Sequence, residues 1–122
     1  MRFYPLVKTA AKEDAAALAS EYKAAREIGK IRLGELRLYF RAGLKTYYIP
    51  YRDVRRCFRR VQLIPAKMGR GQSDFRLENL VICGDGGELA QLQLPGEQAG
   101  KTLLEELQKR IPEAEFGKPS QS

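Results

Sequence analysis

From Leu36 to Leu94 the apolar residues of this chain recur mostly at every second position, and turn signals cut the run into short pieces. Successive side chains on a strand point to opposite faces, so this period calls for sheet rather than helix. Leu36, Leu38 and Phe40 fall on one face, with Arg37, Tyr39 and Arg41 on the other, which predicts a half-buried strand. Thr46 to Tyr51 is rich in β-formers, and Gly43 lies between, so 36–51 reads as a hairpin. Pro50 lacks a backbone donor and marks a strand end or an edge. Phe75 to Cys83 is apolar with a slip at Glu78-Asn79, the pattern of a bulged strand. Gly84-Asp85-Gly86-Gly87 is a strong turn signal. The next strand puts Ala90, Leu92 and Leu94 inward, with Gln91 and Gln93 outward.

Helical spacing is confined to the flanks. Thr9 to Gly29 reads as one helix: Thr9 caps it, Glu13 and Asp14 suit its first turn, and Gly29 stops it. Its stripe of Ala11, Ala15, Leu18, Tyr22 and Ala25 is thin, fit to cover another surface rather than to form a core. A second helix is expected over Glu97 to Arg110. It carries the stripe Ala99, Leu103, Leu104, Leu107 and Ile111, and Pro112 stops it. From Glu113 onward the chain is polar and reads as a disordered tail over 113–122.

With 122 residues, 43% hydrophobic and 30% charged, the chain has the size and balance of one soluble globular domain spanning 1–122. It has no apolar run near the length of a membrane span and no apolar segment behind Arg2, so the expected location is cytoplasmic. Cys57 and Cys83 are too few for a disulfide framework and read as reduced thiols; a redox pair would require their segments to be neighbours. Histidine is absent, which removes the commonest general base and metal ligand. No serine has a nucleophile-elbow context, and no Gly-rich phosphate loop is present. A carboxylate- or lysine-based enzyme would need a pair that the sequence does not mark out, so a non-catalytic protein without cofactor or metal is expected.

Charge is unevenly placed. Residues 31–70 carry eleven Lys and Arg against two acids, whereas residues 71–122 carry five against nine. Arg55, Arg56, Arg59 and Arg60 are packed into one short stretch. Val54, Cys57, Phe58 and Val61 there follow i, i+3, i+4, i+7, which alone would be an amphipathic helix with the arginines outside. Strands before and after argue the other way.

The order of helix, antiparallel strands and one C-terminal amphipathic helix resembles a pleckstrin-homology-like (PH-like) domain, and specifically its bacterial families of uncharacterised function. Gly34-Glu35 before Leu36-Arg37-Leu38-Tyr39-Phe40 is similar to their turn and strand. Tyr48-Ile49-Pro50-Tyr51-Arg52-Asp53-Val54 looks like their strand-to-turn element, and Glu88 to Gly96 also fits. The resemblance covers residues 30–112, leaving the 9–29 helix as an addition. It implies an α+β fold, a split antiparallel β-barrel closed by a C-terminal helix, with an extra N-terminal helix. It implies one helical turn at Asp53-Val54 followed by a strand, so that the arginines lie on a strand. It also implies binding or scaffolding. The lipid-binding members' helix tryptophan is missing, and only Lys30-Ile31-Arg32 echoes their phosphoinositide signature.

Three readings of the basic stripe follow. It is a solvated strand edge, its charges blocking stray pairing and its arginines paired to acids such as Glu27 or Glu78. Alternatively, Arg41, Lys45, Arg55, Arg56, Arg59, Arg60, Lys67 and Arg70 bind an anionic lipid surface or a phosphorylated ligand, for which arginine forks are suited. In the third, Tyr39, Tyr47, Tyr48 and Tyr51 stack nucleic-acid bases beside the arginines. A protein partner or self-association through a strand edge fits equally.

Overall fold

The computed structural model describes residues 2–7, 13–64 and 75–117. The middle of the chain is sheet, as its period requires. Strands β1 (Phe3–Pro5), β2 (Arg26–Ile28), β3 (Ile31–Leu33), β4 (Arg37–Ala42) and β5 (Lys45–Pro50) form one five-stranded sheet in the order β1-β5-β4-β3-β2. Strands β6 (Arg56–Ile64), β7 (Phe75–Gly84), β8 (Gly87–Leu94) and β9 (Glu115–Phe116) form the second, ordered β8-β7-β6-β9. Both sheets are mixed, because β1 runs parallel to β5 and β9 parallel to β6. Helices α1 (Ala15–Ala24) and α2 (Glu97–Arg110) complete an α+β fold.

The sheets are not closed into the barrel expected from the resemblance. Strands β5 and β6 follow one another through a single 3-10 turn, Tyr51–Asp53, but each is flanked by a short parallel strand rather than by the other. The turn and strand do settle the basic stretch: Arg56 to Ile64 is extended, and the helical spacing around it is incidental.

The core lies between the sheets and α2. Leu38, Phe40 and Ile49 meet Cys57, Leu80 and Ile82, and Leu103, Leu107 and Ile111 of α2 pack onto them. Full burial of such a side chain contributes about 1.5 to 3 kcal/mol. The α2 stripe therefore anchors the helix, and its bounds are those read from the sequence.

The N-terminal flank departs from expectation. Among the described residues the expected 9–29 helix is shorter. Residues 9–12 lie outside the described segments, the helix there is Ala15–Ala24, and it is capped by Asp14, whose side chain accepts from the Ala17 amide. Arg26–Ile28 then pair antiparallel with Ile31–Leu33, which buries Ile28 in the core. Gly29 is a hairpin glycine (φ +62°), not a helix stop. Helix α1 covers the far face of the first sheet. There Leu18 packs with Tyr39 and Tyr48, flanked by Phe3 and Tyr22. Strand β4, expected to be half-buried, is therefore buried on both faces, and Leu36 before it is exposed.

Two smaller expectations also shift. The irregularity of β7 falls between Ile82 and Cys83 rather than at Glu78-Asn79, which are buried instead. The polar tail supplies β9, whose Glu115 and Phe116 pair with Arg56 and Cys57; residues 118–122 lie outside the described segments.

Candidate functional site

Each arginine of the stripe meets a carboxylate. Arg55 Nε donates to Asp85 at 2.7 Å, and Arg56 pairs with Glu115. Arg59 Nη2 lies 2.6 Å from Glu78 Oε1 and 3.6 Å from Glu97, and Arg60 Nη2 lies 3.1 Å from Glu88. All five acids come from the acidic last part of the chain. The charge segregation of the sequence is thus folded back on itself, and the stripe is largely neutralised.

The arginines also divide between faces. Arg59 follows Cys57 on the core side, where its guanidinium packs over α2; a Cβ at Gly100 would sit 3.1 Å from Arg59 Nε. The hydrogen bond from Arg59 holds the Glu78 carboxyl below its ordinary range, and Glu78 in turn raises Arg59. Arg60 lies on the other face over the ring of buried Phe58, held by Glu88 and by Gln91 Oε1 at 2.6 Å. Lys67 and Arg70 lie outside the described residues.

Arg41 and Lys45 belong to another place. The register sets Ala42 against Lys45, with Gly43-Leu44 as the two-residue turn. Strand β1 runs beside β5 with Phe3 opposite Thr46, so Arg2 enters next to Lys45. Strand β3 begins opposite Phe40, so Lys30 enters next to Arg41. One end of the five-stranded sheet therefore gathers Arg2, Lys45, Arg41 and Lys30. All four are exposed, and none has a carboxylate within 4 Å among the described residues. Leu44 stands at the tip with 97% of its surface exposed, and Lys45 Nζ sits 5.0 Å from the Tyr4 ring centroid. Arg2 and Leu44 were not candidates from the sequence and Lys30 appeared there only within Lys30-Ile31-Arg32, because strand register alone brings them together.

Comparison with family models, with curated proteins and with solved structures finds no match to this chain. Its chemistry has to be read from its own residues. Tyr39, Tyr48 and Tyr51 are buried and present no rings for base stacking; Tyr47 is half-buried, stacked on Phe40 with Tyr4 beside it. Tyr39 donates to Glu21 Oε1 at 2.6 Å and Tyr51 to the Gly34 carbonyl at 2.6 Å, both structural roles. Burial and the Glu21 carboxylate push the Tyr39 hydroxyl well above its ordinary value. Cys57 and Cys83 lie on neighbouring strands and both are free; burial pushes the Cys57 thiol up to about 12, which makes it a poor nucleophile.

A groove of about 680 Å³ runs between α1 and the turn Gly34-Glu35-Leu36. Its floor is an ion-pair cluster: Arg37 bonds Glu13 and Glu21, and the Leu36 amide donates to Glu21 at 2.6 Å. Gly34 is required here, since a Cβ would lie 2.6 Å from Glu21 Cγ. Arg37 and Glu21 are engaged with each other and with α1, so the cluster reads as the fastening of α1, although Glu13 Oε2 and Arg110 Nε beside it are buried without a hydrogen-bond partner and Glu35 on the rim has no ion pair among the described residues. Among the described residues no three His, Cys, Asp or Glu side chains group as metal ligands, and no helix is long and apolar enough to cross a membrane.

Proposed function

We propose that this chain is a non-catalytic PH-like binding module that docks on an anionic lipid surface through the end of its first sheet. The observation that carries this reading is the row Arg2, Lys45, Arg41 and Lys30 around the exposed Leu44, with no acid against it among the described residues. Four cations at the ends of adjacent strands, Arg2 and Lys45 on one face and Lys30 and Arg41 on the other, line the rim of the sheet around Leu44, and each contributes about 1 kcal/mol near an anionic surface. Leu44 supplies an apolar tip. The order of four short antiparallel strands (β2 to β5), three longer ones (β6 to β8) and helix α2 supports the PH-like part of the reading. The neutralised arginine stripe and the buried tyrosines favour neither a phosphate site on β6 nor a nucleic-acid platform.

The test is co-sedimentation with vesicles of phosphatidylcholine alone and of phosphatidylcholine with phosphatidylserine, at low and high salt. Wild type binds only the anionic vesicles, and salt weakens that binding. Neutralising Arg41 or Lys45 lowers affinity about five-fold each, the equivalent of about 1 kcal/mol. Equal binding by Arg41→Glu/Lys45→Glu and wild type would refute the assignment.

A further inference from the structure

The second sheet has one long edge that the described residues leave mostly open. Strand β6 pairs with β7 along its whole length, from Arg56 opposite Cys83 to Ile64 opposite Phe75. Among the described residues its other edge is paired at Arg56 and Cys57 alone, by the two residues of β9. The Cys57 carbonyl accepts from the Gly117 amide, so the main-chain groups of Cys57 point away from β7. Main-chain direction alternates along a strand. The N–H and C=O groups of Arg59, Val61 and Leu63 therefore point the same way, and among the described residues no strand pairs with them. Beside them stand Leu63, 62% exposed, and Ile64, 42% exposed.

We infer that this edge is an interface between two copies of the chain, in which β6 of one pairs antiparallel with β6 of the other about a two-fold axis at Val61. The charge pattern fits a second copy as the occupant. Pairing centred on Val61 sets Val61 against Val61, Arg60 against Gln62, Arg59 against Leu63 and Phe58 against Ile64. No arginine faces an arginine, as would happen with a centre at Arg60, where like charges oppose. Arg59 and Arg60 are already compensated within their own chain by Glu78 and Glu88, so they bring little free charge to the seam. The arrangement extends the second sheet across two chains, engages the outward groups of Arg59, Val61 and Leu63, and covers Leu63 and Ile64. Such an isologous contact closes on itself rather than propagating into a filament. It leaves the basic end of the first sheet as a separate surface.

Sedimentation velocity and light scattering over a concentration series test this. Wild type sediments with the mass of two chains at tens of micromolar and dissociates on dilution, and amide exchange at Arg59, Val61 and Leu63 slows as concentration rises. Val61→Pro removes an N–H that β7 does not use, so the variant keeps the wild-type circular dichroism and is monomeric. Leu63→Lys, an exposed change that leaves the ladder to β7 intact, is monomeric as well and decides the matter if Val61→Pro misfolds. A wild type that stays monomeric, or a Leu63→Lys variant that dimerises like wild type, would overturn the inference.

Discussion

Arg37 Nη1 donates to Glu21 Oε1 at 2.8 Å, and through this bond strand β4 holds helix α1 on the sheet. Both side chains are nearly buried, 13% and 11% exposed, and Arg37 also bonds Glu13. Helix α1 buries only Leu18 of its own residues, so polar contacts carry much of its attachment. Removing one partner leaves buried charge uncompensated. Arg37→Ala is expected to cost about 3 kcal/mol in urea unfolding and to speed proteolysis within α1. A loss below about 1 kcal/mol would show that the pair is solvated and contributes little.

Acid should loosen the same attachment. Burial alone would raise the Glu21 carboxyl, but hydrogen bonds from Tyr39, the Leu36 amide and Arg37 outweigh it and hold Glu21 below its ordinary value of 4.5. Glu78 is held low by Arg59. A depressed folded-state value means that the unfolded chain takes up the proton first. The stabilisation from both groups is therefore complete above about 4.5 and is lost as pH falls below it. Unfolding midpoints followed from pH 7 to 3 should be flat at first and then drop. Glu21→Gln, lower from the start, should drop less. Parallel curves for wild type and variant would place the acid sensitivity elsewhere.

These contacts mark the limit of what the sequence reveals. The stripe Leu103, Leu107, Ile111 and the turn Asp85-Gly86 were legible because each depends on residues a few positions apart. The over-long N-terminal helix came from alanines, which favour helix without showing what covers them. Gly29 misled because a left-handed glycine serves a helix end and a hairpin turn alike. The partners of the arginine stripe were mostly hidden, since Arg56 and Glu115 are far apart in the chain and meet only through β9; Glu78 was the exception, named in advance as a candidate partner. The basic sheet end required the register of four strands, which period alone does not give.

The four stripe arginines should not behave alike. Arg59 compensates Glu78, which is 5% exposed, so Arg59→Ala strands a buried carboxylate and is expected to cost about 2 to 3 kcal/mol. Arg55 pairs with Asp85, which is largely exposed, and Arg55→Ala should stay within about 0.5 kcal/mol of wild type. Denaturant midpoints of the two variants decide the ranking. Equal losses would mean that the pairing of Arg59 with Glu78 is no stronger than a surface contact.

Two hairpin glycines provide a matched comparison. Gly29 (φ +62°) and Gly43 (φ +64°) hold the same left-handed backbone at neighbouring turns of one sheet. At Gly43 an added Cβ meets nothing within 4 Å, so Gly43→Ala carries backbone strain alone, about 1 kcal/mol. At Gly29 the added Cβ would lie 2.9 Å from Pro95 Cδ, a ring that cannot swing aside as a flexible side chain would. That contact joins the β2–β3 turn to the segment entering α2. Gly29→Ala should therefore cost about 2 to 3 kcal/mol, strain and overlap together. Thermal or urea unfolding of the two variants separates these contributions. If Gly29→Ala is no worse than Gly43→Ala, the approach of Pro95 is loose, and the turn carrying Lys30 is free to shift relative to α2.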